Sequence, residues 1–300
     1  MKKLLRSEIP EWYHYYRSHS KAFFDYILYS EWGNVRKVEE NGEYAYIHHY
    51  FWWFISIWFF EKCDIRPTKE LLLQYGMKRG IVFWSGWKMI SPTLAWESKD
   101  IFQKWWIRLG YFFSHLYHHS TRSAFSMLDT PEYYKKWSSK ARWHRNKIQK
   151  ECETWKISID TNTNLEDFLA VYKKTKIHHK WKAYNIWRQK YLSKNHSANI
   201  RIYTASVDGV ILAWAIFLDD HPTSTYLIAF QDDAGKPYHL GLTIIDRWFL
   251  ESQKLGYQYL DFDHMRSIFD PFSYEGYTKF KSEIADYELS FWDLWVKWIY

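Results

Sequence analysis

The 300-residue chain is poor in cysteine and has no apolar segment long enough to cross a bilayer. Its two cysteines, Cys63 and Cys152, provide neither a disulfide framework nor a zinc site, which suits a reducing compartment. The longest apolar run, residues 50–60, falls short of the ~20 residues that a membrane-spanning helix needs. The basic start, MKKLLRSEIPEW, lacks the apolar stretch of a signal peptide. These absences predict a soluble, cytoplasmic protein.

Motifs of several common enzyme classes are also missing. The chain contains no GxSxG nucleophile elbow, no P-loop and no HExxH zinc motif. The clusters HLYHH (residues 115–119) and KIHHK (residues 176–180) have helical or adjacent spacing, but no carboxylate or cysteine nearby completes a ligand set. With 14 histidines in the chain, chance clusters are expected. We therefore predict no metal site.

Aromatic residues and positive charge are abundant. The chain has 20 Trp, 25 Tyr and 20 Phe, and its formal net charge is +7. Aromatic side chains fill cores and also stack on sugars, bases and acyl chains, so their number alone does not choose between a heavy core and a ligand cleft. A positive charge favours anionic partners such as phosphate, nucleic acid or a membrane face, although many cytosolic enzymes carry it without such a role.

In the first half, turn and cap signals divide helical from strand-like segments. A helix end, a turn at residues 40–42 and aromatic strand material follow one another, and residues 50–60 are predicted as one buried strand. TKELLLQYGMKRG is predicted as a helix capped by Thr68. A second, Lys/Arg-rich helix is predicted to begin at Thr130, with Pro131 in its first position. We place a domain boundary between residues 145 and 146, inside this helical region.

The second half shows clearer patterns. NLEDFLAVYKK predicts an amphipathic helix, and Asp208-Gly209 predicts the turn of a β-hairpin. TSTYLIAFQ adds a strand, HLGLTIIDRWFLESQKLGY a long helix stopped by Gly256, and QYLDFDH another strand. Helices, a hairpin and further strands in this order predict a mixed sheet with helices packed on it, in the α+β class.

Four segments resemble the Fem-type family of the GNAT acyltransferase superfamily. They are YSEWGNVRK (residues 29–37), MLDTPEYYKKWSSKARWHRNKIQK (residues 127–150), LEDFLAVYKKTKIHHK (residues 165–180) and the closing GYQYLDFDHMRSIFDPFSYEGYTKFKSEI (residues 256–284). The resemblance implies two GNAT-type halves, a degenerate one over residues 1–145 and one over 146–300 that carries the catalytic cleft. Fem-type enzymes transfer an amino acid from aminoacyl-tRNA to a peptidoglycan precursor, so the resemblance implies that activity.

One departure from the superfamily pattern concerns the donor substrate. GNAT enzymes that use acetyl-CoA hold its pyrophosphate on backbone N–H groups at a helix N-terminus, where glycines allow close approach. Here KPYHLGL offers one glycine, Pro237 removes an N–H donor, and Tyr238 and His239 crowd the turn. We therefore predict no cofactor, with aminoacyl-tRNA as the donor and acyl-CoA as the disfavoured alternative.

The catalytic candidates lie in the closing motif. By resemblance, Lys281 beside Phe280 is the lysine that meets phosphate or developing charge next to the 3′ adenosine; the alternative is a solvated lysine at a helix start. Asp261 and Asp263 are two residues apart on one predicted strand and therefore face the same side. They could accept a proton or orient an amine, or they could form ion pairs with Arg266.

The remaining candidates bind substrate. Tyr277 and Tyr226 could donate hydrogen bonds to the acceptor, or they could pack in the core or at a rim. Four basic residues could contact the pyrophosphate of the precursor, or they could form a solvated face: Arg36, Lys37, Arg142 and Arg145.

The resemblance thus implies an acyl- or aminoacyltransferase whose partners are aminoacyl-tRNA and a UDP-muramyl or lipid-linked precursor. Two alternatives stay open: a CoA-dependent N-acyltransferase, and a non-catalytic module that binds tRNA or a cell-wall precursor. Peripheral contact with the inner face of the membrane is a lesser possibility, suggested by the net positive charge and the aromatic C-terminus.

Overall fold

The computed structural model describes two compact units of the chain. The described residues are 2–3, 33–52, 55–60, 65, 67–77, 79–84, 107–108, 122–161, 164–174, 186, 190, 194, 199–265, 275–290 and 295–299. The N-terminal unit consists of residues 2–123, 264–275 and 288–300, and the C-terminal unit of residues 124–263 and 276–287. Residues 145 and 146, where the sequence predicts the domain boundary, are consecutive residues of one helix in the C-terminal unit. The division of the chain into independently folding domains at this boundary stays a prediction.

Both units contain strands and helices. The strands are β1 (Lys2–Lys3), β2 (Gly33–Glu40), β3 (Glu43–Trp52), β4 (Ile55–Phe60), β5 (Gly80–Trp84), β6 (Ile107–Arg108), β7 (Arg122–Met127), β8 (Ile157–Asp160), β9 (Ile200–Val207), β10 (Val210–Asp220), β11 (Thr223–Gln231), β12 (Tyr259–His264), β13 (Tyr287–Ser290) and β14 (Trp295–Ile299). The helices are α1 (Lys69–Gln74), α2 (Ser139–Glu151), α3 (Leu165–Lys174), α4 (Leu240–Lys254) and α5 (Glu275–Ile284), with 3₁₀ turns at Tyr133–Lys136 and Asp233–Tyr238.

The sheet of the N-terminal unit has the strand order β2-β3-β4-β5-β14-β6. Its first hairpin turns at Asn41 and Gly42, whose φ angles of 53° and 85° lie in the left-handed region that this tight turn requires. The predicted turn at residues 40–42 is confirmed. The stretch before it is the extended strand β2 rather than a helix end, because β2 pairs along its whole length with β3.

The apolar run of residues 50–60 is two strands instead of the single strand predicted. β3 and β4 pair antiparallel, with Trp52 opposite Ile55. No glycine, proline or asparagine marks this reversal in the sequence, so a continuous apolar run conceals it. β5 then pairs parallel to β4 and makes the sheet mixed.

Helix α1 covers one face of this sheet. The Thr68 hydroxyl accepts a hydrogen bond from the backbone N–H of Leu71, which confirms the predicted cap. Leu71 and Leu72 are buried in a core together with residues of β2, β3, β4 and β5. These strand residues are Val38, Ala45, Ile47, Trp58, Phe60 and Val82.

The sheet of the C-terminal unit has the order β7-β12-β11-β10-β9-β8, with β13 beside β7. β9 and β10 form the predicted hairpin at Asp208 and Gly209, whose φ angles are 48° and 78°. α4 lies on this sheet and buries Trp248 and Phe249 completely, then ends before Gly256 as predicted. Both units combine a mixed sheet with packed helices, which confirms the predicted α+β class.

Helix α2 begins later than the sequence predicts. The hydroxyl of Thr130 accepts a hydrogen bond from the N–H of Glu132 at the start of a 3₁₀ turn, and the chain is extended again at Trp137. Ser138 is the actual cap, since its hydroxyl accepts from the N–H of Ala141. Trp137 is 3% exposed and packs edge-on against Phe249 of α4, so burial of this ring interrupts the helical pattern.

No helix among the described residues has the length and apolarity to cross a membrane. Within the same residues, no three metal-ligating side chains lie close enough to hold an ion, and the histidines of HLYHH and KIHHK lie outside them.

Candidate active site

Two parallel strands of the C-terminal sheet separate after a short contact. β11 pairs with β12 only from Thr223 to Thr225, opposite residues 259–261, while β11 continues to Gln231. The register of β11 against β10 also shifts at Leu227, so that one residue bulges. A gap therefore opens beside the second half of β11, within the C-terminal unit.

This gap is a cleft of about 380 Å³ with apolar walls and a basic rim. Its walls carry aromatic side chains from β10, β11 and α5: Trp214, Tyr226, Phe230, Tyr277 and Phe280. Its polar and charged lining residues are Lys140, His144, Gln231, Lys236, His239 and Glu283. A site of this volume, apolar with a few convergent polar groups, is typical of small-molecule recognition.

The N-terminus of α4 closes one end of the cleft. His239, just before the helix, has the left-handed φ of 54°, and it follows a 3₁₀ turn containing Pro237. The N–H of Gly241, in the first turn of α4, donates to the side-chain oxygen of Gln231 at 3.0 Å. A Cβ at position 241 would come within 2.9 Å of that oxygen. The Gln231 side chain thus accepts the hydrogen bond of an N–H group that could otherwise bind an anion at the N-terminus of α4.

Two histidines meet at the rim of the cleft. The rings of His144 on α2 and His239 before α4 have centroids 4.0 Å apart. Burial, and then the positive charges of Lys140 and Lys147, lower the pKa of His144, with Glu283 acting in the opposite direction. Burial, the neighbouring His144 and the same two lysines lower the pKa of His239. Both imidazoles are therefore neutral at pH 7 and able to accept a proton.

Lys281 lies behind the aromatic wall of the cleft. It is 5% exposed, and its ammonium group lies 5.1 Å from the ring centroid of Tyr277 and 5.6 Å from that of Tyr226. Burial raises the pKa of the Tyr226 hydroxyl, so this phenol stays protonated as a donor. The alternative of a solvated surface lysine is wrong, because α5 turns Lys281 inward at the same helical face as Tyr277, one turn earlier.

Comparisons with known proteins address the fold. No protein-family model and no curated protein sequence matches the chain. Among solved structures it is similar to FemX, with a TM-score of 0.65 and 10% identity over 88% of each chain. The chain has the Fem-like GNAT fold. It is also similar to L-PGS from Bacillus licheniformis, with a TM-score of 0.54 and 11% identity over 95% of this chain and 90% of that chain.

A third similar structure belongs to a protein described as a lysylphosphatidylglycerol synthetase. Its C-terminal domain, from Agrobacterium fabrum, has a TM-score of 0.52 and 12% identity over 95% of this chain and 89% of that chain. The resemblance inferred from the sequence motifs is thus confirmed for the fold, and the cleft lies in the unit that contains residues 256–263 and 276–284 of the closing motif.

Within this Fem-like GNAT fold, the two aspartates do not follow the regular strand geometry on which their prediction rests. Asp261 is fully buried, and its carboxylate accepts a hydrogen bond of 2.8 Å from the N–H of Asp263. Asp263 has a φ of 59°, which is not extended backbone, so simple alternation no longer determines the face of its side chain. Arg266, their predicted partner, lies outside the described residues. A catalytic role for the aspartates stays a prediction.

The two predicted arginines on α2 have different surroundings. Arg145 is 8% exposed; its Nε donates to Asp246 of α4 at 2.6 Å, and its guanidinium lies 4.0 Å from the ring centroid of Tyr134. The hydroxyl of Tyr133 donates to the same carboxylate oxygen at 2.6 Å. These contacts join α2 to α4, next to the point where His144 meets His239. Arg142 is exposed and donates to Ser139 at 3.3 Å.

The predicted entrance residues belong to the N-terminal unit. Arg36 lies 5.1 Å from the ring centroid of Trp58. Lys37 forms an ion pair with Glu39 and lies 4.3 Å from the ring centroid of Tyr44. Both side chains are exposed, and phosphate binding by them and by the α2 arginines stays a prediction.

The structure brings together three of the predicted residues, Tyr226, Tyr277 and Phe280, in the cleft lining. It adds residues for which the sequence predicts no catalytic role, above all His144 and His239. The sequence carries a weak signal for them, since His144 lies in the Lys/Arg-rich helical segment and His239 in the turn before α4. Nothing local, however, indicates that two histidines 95 residues apart are in contact.

Proposed function

We propose that the chain is an aminoacyltransferase that moves an amino acid from aminoacyl-tRNA to the amine of a peptidoglycan precursor. The observation that supports this most is the pair of neutral imidazoles at the mouth of an aromatic cleft, in a fold shared with FemX. Aminoacyl transfer needs a proton acceptor for the amine and donors for the developing oxyanion, and both kinds of group line this cleft. The cytoplasm, where aminoacyl-tRNA is found, is the proposed location.

The reaction would proceed by attack of the acceptor amine on the carbonyl carbon of the aminoacyl ester. A C–N bond forms, and the bond between the carbonyl carbon and the ribose oxygen breaks. The amine loses a proton to the pair formed by His144 and His239, and the pair returns this proton to the departing ribose hydroxyl. The hydroxyls of Tyr226 and Tyr277 would donate hydrogen bonds to the carbonyl oxygen as its negative charge develops.

Lys281 would act electrostatically from behind this wall. Its ammonium group lies within 6 Å of both phenol rings, and its burial limits screening by solvent. A positive charge there stabilises negative charge in the cleft, whether on the oxyanion or on a phosphate of the donor. In this role Lys281 remains the proposed catalytic lysine, acting through Tyr226 and Tyr277.

The N-terminus of α4 favours aminoacyl-tRNA over acyl-CoA as donor. Gln231 occupies the N–H of Gly241, and Pro237 contributes no N–H in the preceding turn. A pyrophosphate would have to displace the Gln231 side chain to bind the first turn. A CoA-dependent N-acyltransferase is therefore the second candidate, and a non-catalytic module that binds tRNA or precursor is the third.

The test is transfer of labelled amino acids from a mixed aminoacyl-tRNA pool to UDP-muramyl pentapeptide. Lys281→Ala should lower the transfer rate by about 10²-fold or more, the usual effect of losing one stabiliser of an oxyanion. The matched control is Lys254→Ala, which removes an exposed lysine at the end of α4 and should leave the rate unchanged. His144→Gln and His239→Gln should each slow transfer. Because burial and the neighbouring lysines lower both imidazole pKa values, protonation of the pair should slow transfer only at a pH below the ordinary histidine range.

Parallel reactions separate the alternatives. Transfer from acetyl-CoA but not from aminoacyl-tRNA would replace the proposal with the N-acyltransferase. Transfer to vesicles containing phosphatidylglycerol, without transfer to the muramyl peptide, would change the acceptor to the lipid named for one similar structure. Absence of transfer with every donor, by protein that is folded and binds tRNA, would favour the non-catalytic module.

A further inference from the structure

A second surface, outside the cleft lining, combines one exposed and two half-buried aromatic rings with a lysine. Trp143 on α2 is 58% exposed, although large apolar side chains are usually covered. The ammonium group of Lys147, one turn later, lies 5.7 Å from the ring centroid of Trp143 and 5.3 Å from that of Trp155. The ring of Trp155 in turn meets Tyr238 edge-on at 5.6 Å. We call these four residues the aromatic–lysine surface.

This surface is continuous with the rim of the cleft. The ring centroids of Trp143 and His144 are 4.8 Å apart, the ring of His144 contacts that of His239 at a tilt of 48°, and both histidines line the cleft. Tyr238 directly precedes His239 along the chain. A chain of aromatic rings therefore leads from exposed Trp143 into the cleft.

The charge along α2 is strongly positive. The helix carries Lys140, Arg142, Arg145, Lys147 and Lys150, and its acidic residue is the terminal Glu151. Arg145 is neutralised by Asp246, and Lys140 lies 3.3 Å from Glu283. Lys147 remains between the two tryptophan rings, where a phosphate could approach it while bases contact the rings.

We infer that the aromatic–lysine surface binds a single-stranded end of a nucleic acid and directs its terminus into the cleft. Rings that alternate with a cation match a single strand, because every base has a face that stacks and every nucleotide a phosphate that needs a positive charge. In a nucleic-acid duplex the base faces are stacked on each other and cannot contact the aromatic rings of the protein. The inference rests on the proposed function, since a single-stranded 3′ end bearing an amino acid is then the donor.

A membrane surface fits these observations less well. Helices that lie in a bilayer interface present several large apolar side chains along one face. On α2, Trp143 is the large apolar residue that is exposed, and its helical neighbours on the surface are charged or polar. The spacing of one cation between two rings suits successive nucleotides rather than lipid chains.

The test measures binding of a labelled single-stranded RNA of about six nucleotides by fluorescence anisotropy. Trp143→Ala should weaken binding by roughly 5- to 100-fold, the range of one base–aromatic stack, and Trp143→Phe should restore most of the loss. Lys147→Ala should weaken binding and reduce the dependence of log K on log salt by about 0.7, the loss of one phosphate contact on a single strand. Trp298→Ala in the N-terminal unit and Lys254→Ala are the matched controls, each removing an exposed side chain elsewhere.

Three results would overturn the inference. Trp143→Ala and Lys147→Ala could bind the oligonucleotide like wild type, a blunt RNA duplex of equal charge could bind as tightly as the single strand, or anionic vesicles could bind where RNA does not. Because the assay needs no turnover, its outcome is separate from the proposed function. RNA binding without any transfer would contradict the proposed aminoacyltransferase activity but not this inference. Transfer from aminoacyl-tRNA that is unaffected by Trp143→Ala would contradict this inference but not the proposed activity.

Discussion

The ion pair between Arg145 and Asp246 should hold α2 against α4, and a double-mutant cycle can measure its contribution. Nε of Arg145 and Oδ1 of Asp246 are 2.6 Å apart, and their side chains are 10% and 16% exposed. Unit charges about 4 Å apart interact with about 4 kcal/mol at an effective dielectric constant near 20. Desolvation of both groups offsets part of this attraction. We therefore expect a coupling free energy of about 2–3 kcal/mol.

The single variants should differ in a defined way. Asp246→Asn leaves the buried Arg145 charge without its counter-ion and should cost about 3–4 kcal/mol of unfolding free energy. Arg145→Met leaves a carboxylate that still accepts a hydrogen bond from Tyr133, and it should cost about 2–3 kcal/mol. The double variant leaves no unpaired charge and should cost about as much as Asp246→Asn alone. Its penalty is then smaller than the sum of the single penalties.

Urea and thermal unfolding of the four proteins provide the measurement. A loss of about 3 kcal/mol corresponds to a fall in Tm of about 6–12 °C for domains of 150–250 residues. Penalties that add to within about 0.5 kcal/mol would refute the coupling, because independent sites behave in that way. The cycle also tests Arg145 as a phosphate ligand. If Arg145 only joins α2 to α4, its substitution should weaken RNA or precursor binding only to the extent that it unfolds the protein.

Three further changes have signs that follow from the structure. Burial raises the pKa of Asp286 to about 6, so the ionised carboxylate destabilises the folded protein above that pH. Asp286→Asn should therefore raise the unfolding free energy at pH 7 by up to about 3 kcal/mol. This difference from wild type should disappear near pH 4. Burial, and then Arg36, lower the pKa of His49 to about 4. As the pH falls from 6.5 to 4, wild type should lose about 1–2 kcal/mol of unfolding free energy, after allowance for solvent screening. His49→Gln should reduce this dependence of the unfolding free energy on pH. Gly80→Ala would place a Cβ 2.0 Å from the carbonyl oxygen of Ser56 at a φ of 151°, and it should cost more than about 3 kcal/mol in urea unfolding. An Asp286→Asn protein less stable than wild type at pH 7, a His49→Gln protein with an unchanged acid transition, or a Gly80→Ala protein as stable as wild type would each contradict the corresponding argument.

Local chemistry determined the turns and several helix ends. Asn41-Gly42 and Asp208-Gly209 adopt left-handed backbone angles that few other pairs tolerate, so each hairpin could be predicted from two residues. Thr68 caps α1 for an equally local reason, because its hydroxyl meets an N–H three residues later. The order of such elements was sufficient to predict the α+β class.

Predictions that depended on distant partners were wrong or incomplete. Residues 50–60 fold back as two strands because β3 and β4 pair within a sheet, and α2 starts only after the cap Ser138 because Trp137 is buried against α4. Lys281 is enclosed by Tyr226, a residue 55 positions earlier in the chain, which no pattern near Lys281 reveals.

The sequence by itself determined the hairpin turns, several helices and the class of fold. Only the tertiary structure decided where that site opens and which groups face it. The cleft exists because β11 and β12 separate after three paired residues, and the imidazoles meet because α2 packs on α4. Backbone conformation depends largely on neighbouring residues, whereas burial, pKa and proximity depend on contacts between residues far apart in the chain.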